Sequence, residues 1–232
     1  MNAGKIVRIS IITLIVLVLG FGIVKANEKT PNSEKVWDEQ TTVGSMDAEN
    51  YFVIYTDLMC PYCIAFENAI LENEEEFKQY IADNDILIDV KLSEFLYDYG
   101  ESKPINSRYS AEAAYCAKKE DKFWDYYSHA VKTIWNSYFK GAGKSGFMQL
   151  NTVNKEYWIN LGEQVGLGES FRSCVENDET LDEVIKNTEK TAKSISGGMP
   201  FFKFNKYEVS GFDLSWGWDY VKAYFEKGLA NK

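Results

Sequence analysis

Hydrophobic positions in the first half of the chain predict a strand, a helix and a second strand, in that order. The apolar run from Tyr51 to about Thr56 is rich in aromatic and β-branched residues, which is typical of a buried strand. A helical pattern follows over Ile64–Ile81, and Ile86–Val90 predicts another strand. Because two strands joined through a helix usually run parallel, this order indicates a parallel crossover in an α/β sheet.

From Pro104 to about Glu176 the apolar spacing is helical throughout. The helices predicted here are Arg108–Lys118, Asp121–Ser137, Lys155–Val165 and Glu169–Val175. The glycine-rich segment Gly141–Gly146 resembles a phosphate-binding loop only superficially, because Tyr138 stands where that motif requires its first glycine. We therefore expect a flexible connection between helices at this point.

The C-terminal part of the chain returns to a mixed pattern. Thr180, followed three residues later by Glu183, has the spacing of a capping box and predicts the start of a helix. The elements predicted in this part are a helix over Leu181–Ser194, strands at Phe201–Phe204 and Tyr207–Ser210, and an amphipathic helix over Ser215–Lys227. Asn205-Lys206 would join the two strands as an antiparallel pair.

The first 26 residues have the pattern of an export signal. Lys5 and Arg8 precede an uncharged apolar run over Ile9–Val24, and small residues follow where a signal peptidase would cut. A membrane anchor over residues 6–24 is the alternative. Either way the rest of the chain lies outside the cytoplasm, in the periplasm or at the outer face of the cell membrane. Residues 27–44 are polar and predict a tether.

Composition narrows the classes of partner. A hydrophobic content of 45% is ordinary for a folded protein with a sizeable core. The net charge of −10 argues against nucleic acid or an anionic membrane surface as a partner.

The candidate chemistry lies in the sequence Cys60-Pro61-Tyr62-Cys63, between the first strand and the first helix. A helix N-terminus presents free N–H groups and the positive end of the helix dipole, which stabilise a thiolate. Pro61 suits the first helical position. We expect a redox dithiol in which Cys60 is the exposed attacking sulfur and Cys63 the sheltered resolving one. A structural disulfide or half of a zinc site is the alternative, although zinc needs four ligands and the chain has one histidine, His129.

The remaining two cysteines, Cys116 and Cys174, lie in predicted helices. They could form a structural disulfide within the helical part, or they could be two buried free thiols. An oxidising compartment favours the disulfide.

Several segments together resemble the DsbA-like branch of the thioredoxin superfamily, over about Val43–Leu229. The residues that carry the resemblance are Asp47-Ala48, Thr56–Cys63, Phe123–Tyr126 and Gly198–Phe202. The resemblance implies an α/β protein, a thioredoxin fold with an inserted α-helical domain. The implied division is residues 45–103 for the first part of the thioredoxin fold, residues 104–178 for the helical insertion and residues 179–232 for the second part.

The resemblance also implies roles for individual residues. Pro200 would be a cis-proline that faces the dithiol. Without the resemblance, the residues are also compatible with an ordinary trans proline at the start of an edge strand. Pro61, Tyr62, Met199 and Pro200 would contact an extended substrate peptide. Relatives usually carry an acidic residue six positions before the first cysteine, and here that residue is Ile54. Proton transfer would then use water or another group such as Asp57.

We therefore expect a monomeric extracytoplasmic oxidoreductase that introduces disulfides into unfolded exported proteins, without a cofactor or metal. A quinone-linked or vitamin-K-epoxide-reductase-like membrane protein would re-oxidise it. A disulfide reductase or isomerase of the same fold is the alternative. A peptide-binding chaperone module that does not use its dithiol is a less favoured one.

Overall fold

The computed structural model describes residues 39–232, and these contain one mixed β-sheet with helices packed against it. Its strands are β1 (Thr42–Val43), β2 (Asn50–Thr56), β3 (Ile86–Leu92), β4 (Phe201–Phe204) and β5 (Tyr207–Ser210). Their order across the sheet is β1-β3-β2-β4-β5. β2 and β3 are parallel, whereas β4 pairs antiparallel with both β2 and β5. The predicted crossover and the predicted C-terminal strand pair are both confirmed.

The sheet register places the start of β4 beside the end of β2. Tyr55 lies opposite Phe201, and Ile54 lies opposite Phe202. The segment that enters β4 therefore lies next to the segment that leaves β2. This pairing brings together two stretches that are far apart in the sequence.

The expected signal or anchor over residues 1–26, and most of the expected tether, lie outside the described residues. The last part of the expected tether is a different structure from the one predicted. Glu39–Thr41 form a 3₁₀ turn, and β1 pairs antiparallel with β3 at one edge of the sheet. The partly buried Val43 packs against the hydrophobic core, which accounts for the ordered strand.

The helix predicted over Ile64–Ile81 is in fact two helices, α1 (Pro61–Leu71) and α2 (Glu74–Asp83). The break falls at Asn73, whose side-chain amide donates a 2.9 Å hydrogen bond to the carbonyl of Ala69. Asparagine competes for backbone hydrogen bonds in this way, and for that reason it often lies at helix ends. Within residues 39–232, each helix is too short or too polar to cross a bilayer.

A largely helical region lies between β3 and β4. Its helices are α3 (Phe95–Tyr99), α4 (Ile105–Lys118), α5 (Phe123–Ile134, which continues as a π-helical turn over Trp135–Phe139), α6 (Gly143–Leu150), α7 (Lys155–Gln164), α8 (Glu169–Glu176) and α9 (Leu181–Ser194). The helix expected from Asp121 begins only at Phe123, because Asp121 has a φ of 57°, outside the helical range.

α6 was not predicted, and it replaces the second half of the flexible connection expected at Gly141–Gly146. Glycine is a poor helix former, so the sequence gives little sign of this helix. Gly146 is needed for packing, since a Cβ atom there would lie 1.6 Å from the carbonyl oxygen of Tyr138.

The capping box predicted at Thr180 is wrong, although α9 begins where expected. The Thr180 hydroxyl donates a 3.0 Å hydrogen bond to the carbonyl of Glu112 in α4. Glu183 instead pairs with Lys118 at 2.5 Å. The side chains of Thr180 and Glu183 therefore bind residues of α4 and do not cap the start of α9.

The final helix, α10 (Trp218–Ala230), begins three residues later than Ser215, the predicted start. The carboxylate of Asp213 accepts a 2.8 Å hydrogen bond from the backbone N–H of Ser215. This bond holds Ser215 in a turn that precedes the helix. α10 packs its Phe225 against Phe52 of β2, Phe66 of α1 and Phe204 of β4. This aromatic cluster anchors α1, the helix that carries the two motif cysteines, on the sheet.

Candidate active site

The loop between β2 and α1 is held in place by the buried carboxylate of Asp57. One carboxylate oxygen accepts a 2.8 Å hydrogen bond from the backbone N–H of Met59. The other accepts hydrogen bonds from the N–H of Leu96 at 2.8 Å and the hydroxyl of Ser107 at 2.6 Å. Burial raises the pKa of Asp57 to about 6, although all three hydrogen bonds favour its charged form. Asp57 therefore fastens the loop to the helical region.

Cys60 is the N-cap residue of α1, and Pro61 is its first helical residue. The backbone N–H of Cys63 donates a 3.4 Å hydrogen bond to the sulfur of Cys60. Both cysteines are free, so the structure shows the reduced dithiol. The sulfur of Cys60 therefore lies at the positive end of the helix dipole, next to a backbone N–H that points toward it.

Cys60 is less accessible than the sequence predicts. Only 3% of the residue is exposed, whereas we expected an exposed attacking sulfur. The reason is the segment entering β4: the thiol of Cys60 faces the backbone carbonyl of Met199 at 3.7 Å, and Met199 and Phe201 pack in the same cluster. The Met199–Pro200 peptide bond is cis.

Cys63 is fully buried. Burial raises the pKa of the Cys63 thiol well above its usual value, and the neighbouring Cys60 and Glu67 raise it further. The two sulfurs thus have different surroundings: Cys60 is the N-cap of the helix, and Cys63 lies in the protein interior.

Residues 37–210, well over half of the chain, match the protein family described as Thioredoxin. The chain belongs to the thioredoxin family. Among curated proteins, no sequence matches it.

Three solved structures show how widely this fold is shared. The protein is 18% identical to oxidised BdbD from Bacillus subtilis, with 82% of this chain and 93% of that chain covered and a TM-score of 0.58. It is 19% identical to the thiol-disulfide exchange protein alpha-DsbA2 from Wolbachia pipientis, with coverages of 80% and 85% and a TM-score of 0.53. It is 18% identical to a periplasmic thioredoxin-like protein from Salmonella enterica serovar Typhimurium, with coverages of 82% and 89% and a TM-score of 0.53.

These similarities confirm the expected thioredoxin fold with inserted helices, and they confirm the resemblance to DsbA-like proteins at the level of the fold.

The sequence did not single out Glu67, a buried carboxylate in α1 of this thioredoxin-family protein. Its side chain accepts a hydrogen bond from the hydroxyl of Thr56. Burial raises the pKa of Glu67 to about 7. A usable signal was present: Glu67 follows Cys63 by four residues, which places both on one face of a helix, and most of its neighbours in the sequence are apolar.

A cavity of about 300 Å³ lies between the sheet and the helices α1, α2 and α5. Glu67 and Tyr127 contribute polar groups to its mostly apolar wall. Ile54, at the position where relatives usually carry an acid, lines the same cavity.

The predicted peptide-contacting residues surround the dithiol, but with very different exposure. Tyr62 is 47% exposed, Pro61 is half-buried, and Met199 and Pro200 are buried. Tyr62 therefore presents an aromatic ring to solvent directly beside the cysteines.

Cys116 of α4 and Cys174 of α8 form a disulfide in this thioredoxin-family protein. The bond closes the chain over a separation of 58 residues within the helical region. It takes up both cysteines outside the Cys60–Cys63 motif.

Proposed function

We propose that this protein is an extracytoplasmic thiol–disulfide oxidoreductase that works mainly as a dithiol oxidase through Cys60 and Cys63. The observation that carries the proposal is the place of the Cys60 sulfur at the N-terminus of α1, where it accepts the backbone N–H of Cys63. Backbone N–H groups at a helix N-terminus stabilise negative charge, so a thiolate released at Cys60 would be a good leaving group, and a disulfide with a good leaving thiolate is oxidising.

In the proposed reaction, a substrate thiolate attacks Cys60 in the Cys60–Cys63 disulfide. The S–S bond breaks, a mixed disulfide forms, and Cys63 leaves as a thiolate that takes up a proton. A second substrate thiolate then attacks the substrate sulfur of the mixed disulfide, and Cys60 leaves as a thiolate. Two electrons pass from the substrate to the enzyme, so the substrate gains a disulfide and the enzyme ends as the dithiol.

Substrate peptides would bind across the segment that enters β4. The Met199 carbonyl already faces the reacting sulfur, so an extended peptide pairing with this segment would bring its own cysteine to Cys60. Pro61, Tyr62 and Pro200 would complete the contact surface, and the exposed ring of Tyr62 suits apolar peptide side chains.

The reduced enzyme must lose two electrons to act again. A quinone-linked or vitamin-K-epoxide-reductase-like membrane protein is the partner class we propose for this step. An extracytoplasmic site agrees with the basic and apolar pattern of the first 26 residues and with the Cys116–Cys174 disulfide, since structural disulfides persist in oxidising compartments. One structure that shares the fold is described as periplasmic.

The equilibrium of Cys60–Cys63 with glutathione tests the direction of the reaction. A potential near about −120 mV is that of a strong dithiol oxidase, and about −270 mV is that of thioredoxin. We expect a value at the oxidising end. A value near that of thioredoxin would replace the oxidase with a reductase or isomerase acting through the same cysteines.

Cys60→Ser tests whether the protein is an enzyme rather than a peptide-binding module. The variant should lose all disulfide formation in a reduced, unfolded protein substrate. The control replaces Cys116 and Cys174 together with alanine, which removes the two sulfurs outside the motif and leaves the dithiol, and it should retain activity at a temperature where it is folded. Full activity of Cys60→Ser would favour the binding module.

A further inference from the structure

We propose that the side chains of Glu112 and Asp178 share one proton and thereby form a pH-sensitive latch between α4 and the turn that follows α8. When the proton is lost, the latch weakens and the turn leaves α4 more often. Both residues lie in the helical region, outside the cluster that surrounds the dithiol. The latch does not depend on the oxidase function proposed above.

The latch consists of one buried and one partly exposed carboxyl group. Glu112 in α4 is fully buried, whereas the side chain of Asp178, in the turn between α8 and α9, is 48% exposed. The two side chains are hydrogen-bonded to each other. Two carboxylates have no hydrogen to donate, so this bond needs a proton. Because burial favours the neutral form, Glu112 carries the proton and donates it to the carboxylate of Asp178.

Lys155, the first residue of α7, explains why Asp178 is the charged partner. Its ammonium group donates hydrogen bonds to the Asp178 carboxylate and, at 3.1 Å, to the carbonyl of Val175. The same ammonium lies 3.9 Å from the carboxyl group of Glu112. One ammonium balances one carboxylate, so the site is closest to neutral when Asp178 is ionised and Glu112 is protonated.

The pKa values of the two groups move in opposite directions. Burial, followed by the hydrogen bond to Asp178, raises the pKa of Glu112 to about 8, although the charges of Lys155 and Arg108 oppose the rise. The pKa of Asp178 lies below its usual value, chiefly because of its hydrogen bonds to Lys155 and Glu112. Near neutral pH the shared proton is therefore in place.

Other charged groups around this part of α4 form pairs of their own. These pairs are Arg108 with Glu94 at 2.9 Å, Lys118 with Glu183 at 2.5 Å and Lys119 with Glu179 at 2.6 Å. The charge of Glu112 is thus governed mainly by Asp178 and Lys155, with Arg108 acting at longer range.

The latch joins the same two segments as the Cys116–Cys174 disulfide. Cys116 follows Glu112 by one turn of α4, and Asp178 follows Cys174 by four residues. Between them, the Thr180 hydroxyl donates a 3.0 Å hydrogen bond to the carbonyl of Glu112 and lies 3.7 Å from the sulfur of Cys116. The turn is therefore held to α4 by a covalent bond and by a hydrogen-bonded pair that responds to pH.

The latch should weaken as the pH rises. Glu112 has a pKa of about 8 in the closed turn and would return to its usual 4.5 in an open, solvated turn. Opening therefore releases a proton between these two values. The equilibrium constant for opening should increase by up to tenfold per pH unit from about pH 5 to about pH 8 and stay level above pH 8.

Hydrogen exchange of the full chain, with its disulfide intact, measures this opening. The amides to follow are those of Asn177, Asp178 and Glu179, each of which donates a hydrogen bond to a carbonyl of α8. After correction for the direct effect of pH on amide exchange, their protection in the wild type should fall by up to tenfold per pH unit and then level off near pH 8.

Glu112→Gln is the decisive variant. Its amide keeps the shape of the side chain and donates a hydrogen bond to Asp178 at every pH, so the turn should stay protected and this fall should disappear. Glu179→Gln is the matched control, because Glu179 lies in the same turn and pairs with Lys119 of α4, but is 43% exposed. It should follow the wild-type profile. Equal slopes in the wild type and Glu112→Gln, or a flat wild-type profile, would overturn the latch.

Asp178→Asn gives a second readout that does not depend on how Glu112→Gln folds. Asparagine tolerates the left-handed backbone of this position, where φ is 53°. The substitution removes a charge that raises the pKa of Glu112, so the point where protection levels off should move to lower pH by about one unit or more. An unmoved point would show that Asp178 does not share the proton.

These outcomes are separable from those that test the proposed function. Hydrogen exchange in this turn does not require a reactive dithiol, so a thioredoxin-like potential would remove the oxidase assignment and leave the latch intact. A flat exchange profile alongside a strongly oxidising potential would do the opposite.

Discussion

The hydroxyl of Ser107 donates a 2.6 Å hydrogen bond to the buried carboxylate of Asp57, and this bond joins the helical region to the loop that carries the dithiol. The structure thus links α4 to the residue three positions before Cys60. Because both groups are buried, breaking this bond leaves a charged oxygen without one of its donors.

Ser107→Ala should therefore destabilise the protein by about 1–3 kcal/mol when Asp57 is ionised. The pKa of Asp57 is about 6 in the fold against 3.8 normally, so the carboxylate is mostly protonated at pH 5 and ionised at pH 8. The loss should be larger at pH 8, because the hydrogen bond favours the charged form. Urea unfolding at the two pH values measures it, and an equal loss at both would show that Asp57 is not the partner that matters.

Glu67→Gln should change how stability depends on pH. The folded pKa of about 7 lies above the normal value of 4.5, so the folded state holds a proton that the unfolded state releases between these values. The contribution of Glu67 to stability is thus full below about pH 4.5 and is lost as pH rises through 7, by about 3 kcal/mol. Urea unfolding of the reduced protein across this range should show the decline in the wild type and less of it in Glu67→Gln.

Glu75→Gln provides the control for that comparison, since Glu75 is exposed. Its stability should decline with pH as the wild type does. Parallel curves for the wild type and Glu67→Gln would mean that the carboxylate does not titrate in this window.

Replacing Cys116 and Cys174 together with alanine should cost about 4 kcal/mol, because the disulfide limits the unfolded chain over a separation of 58 residues. The equilibrium of Cys60–Cys63 with glutathione should stay within about threefold of the wild type, since neither residue contacts the dithiol cluster. Thermal unfolding and the glutathione equilibrium, measured on the same preparation, check both statements. A large change in the equilibrium would mean that the helical region tunes the dithiol.

Tyr62→Ala should weaken the binding of apolar peptides without altering the dithiol. We expect KM for a cysteine peptide with large apolar side chains to rise about threefold to tenfold, because roughly 1 kcal/mol of contact with the ring is lost. The rate with dithiothreitol should hardly change. Tyr220→Ala is the matched control, as Tyr220 is exposed to a similar extent but lies on α10. Equal effects of the two substitutions would argue against a binding role for Tyr62.

The sequence predicted the elements whose signals are local. β4 and β5 have the predicted bounds because a strand pair joined by two turn residues depends on neighbours in the chain. The α9 helix was also placed correctly, although the capping box that supported its start does not form.

Features that depend on distant contacts were missed. The α6 helix was missed because it depends on the close approach of Gly146 to the backbone of Tyr138. In the sequence alone, Gly146 only indicates that a helix would break. The burial of Cys60 results from the segment that enters β4, which lies far away in the chain. Glu67 was overlooked because a glutamate in a helix is usually exposed, and only packing shows that this one faces the interior.

The disulfide between Cys116 and Cys174 has a consequence for how the protein is made. If the protein is the dithiol oxidase proposed here, it must acquire its own Cys116–Cys174 disulfide before it reaches full stability. A newly made copy would then be a substrate of copies that already carry this disulfide, or of another oxidant. Recovery of activity from a fully reduced pool should therefore accelerate as finished molecules accumulate.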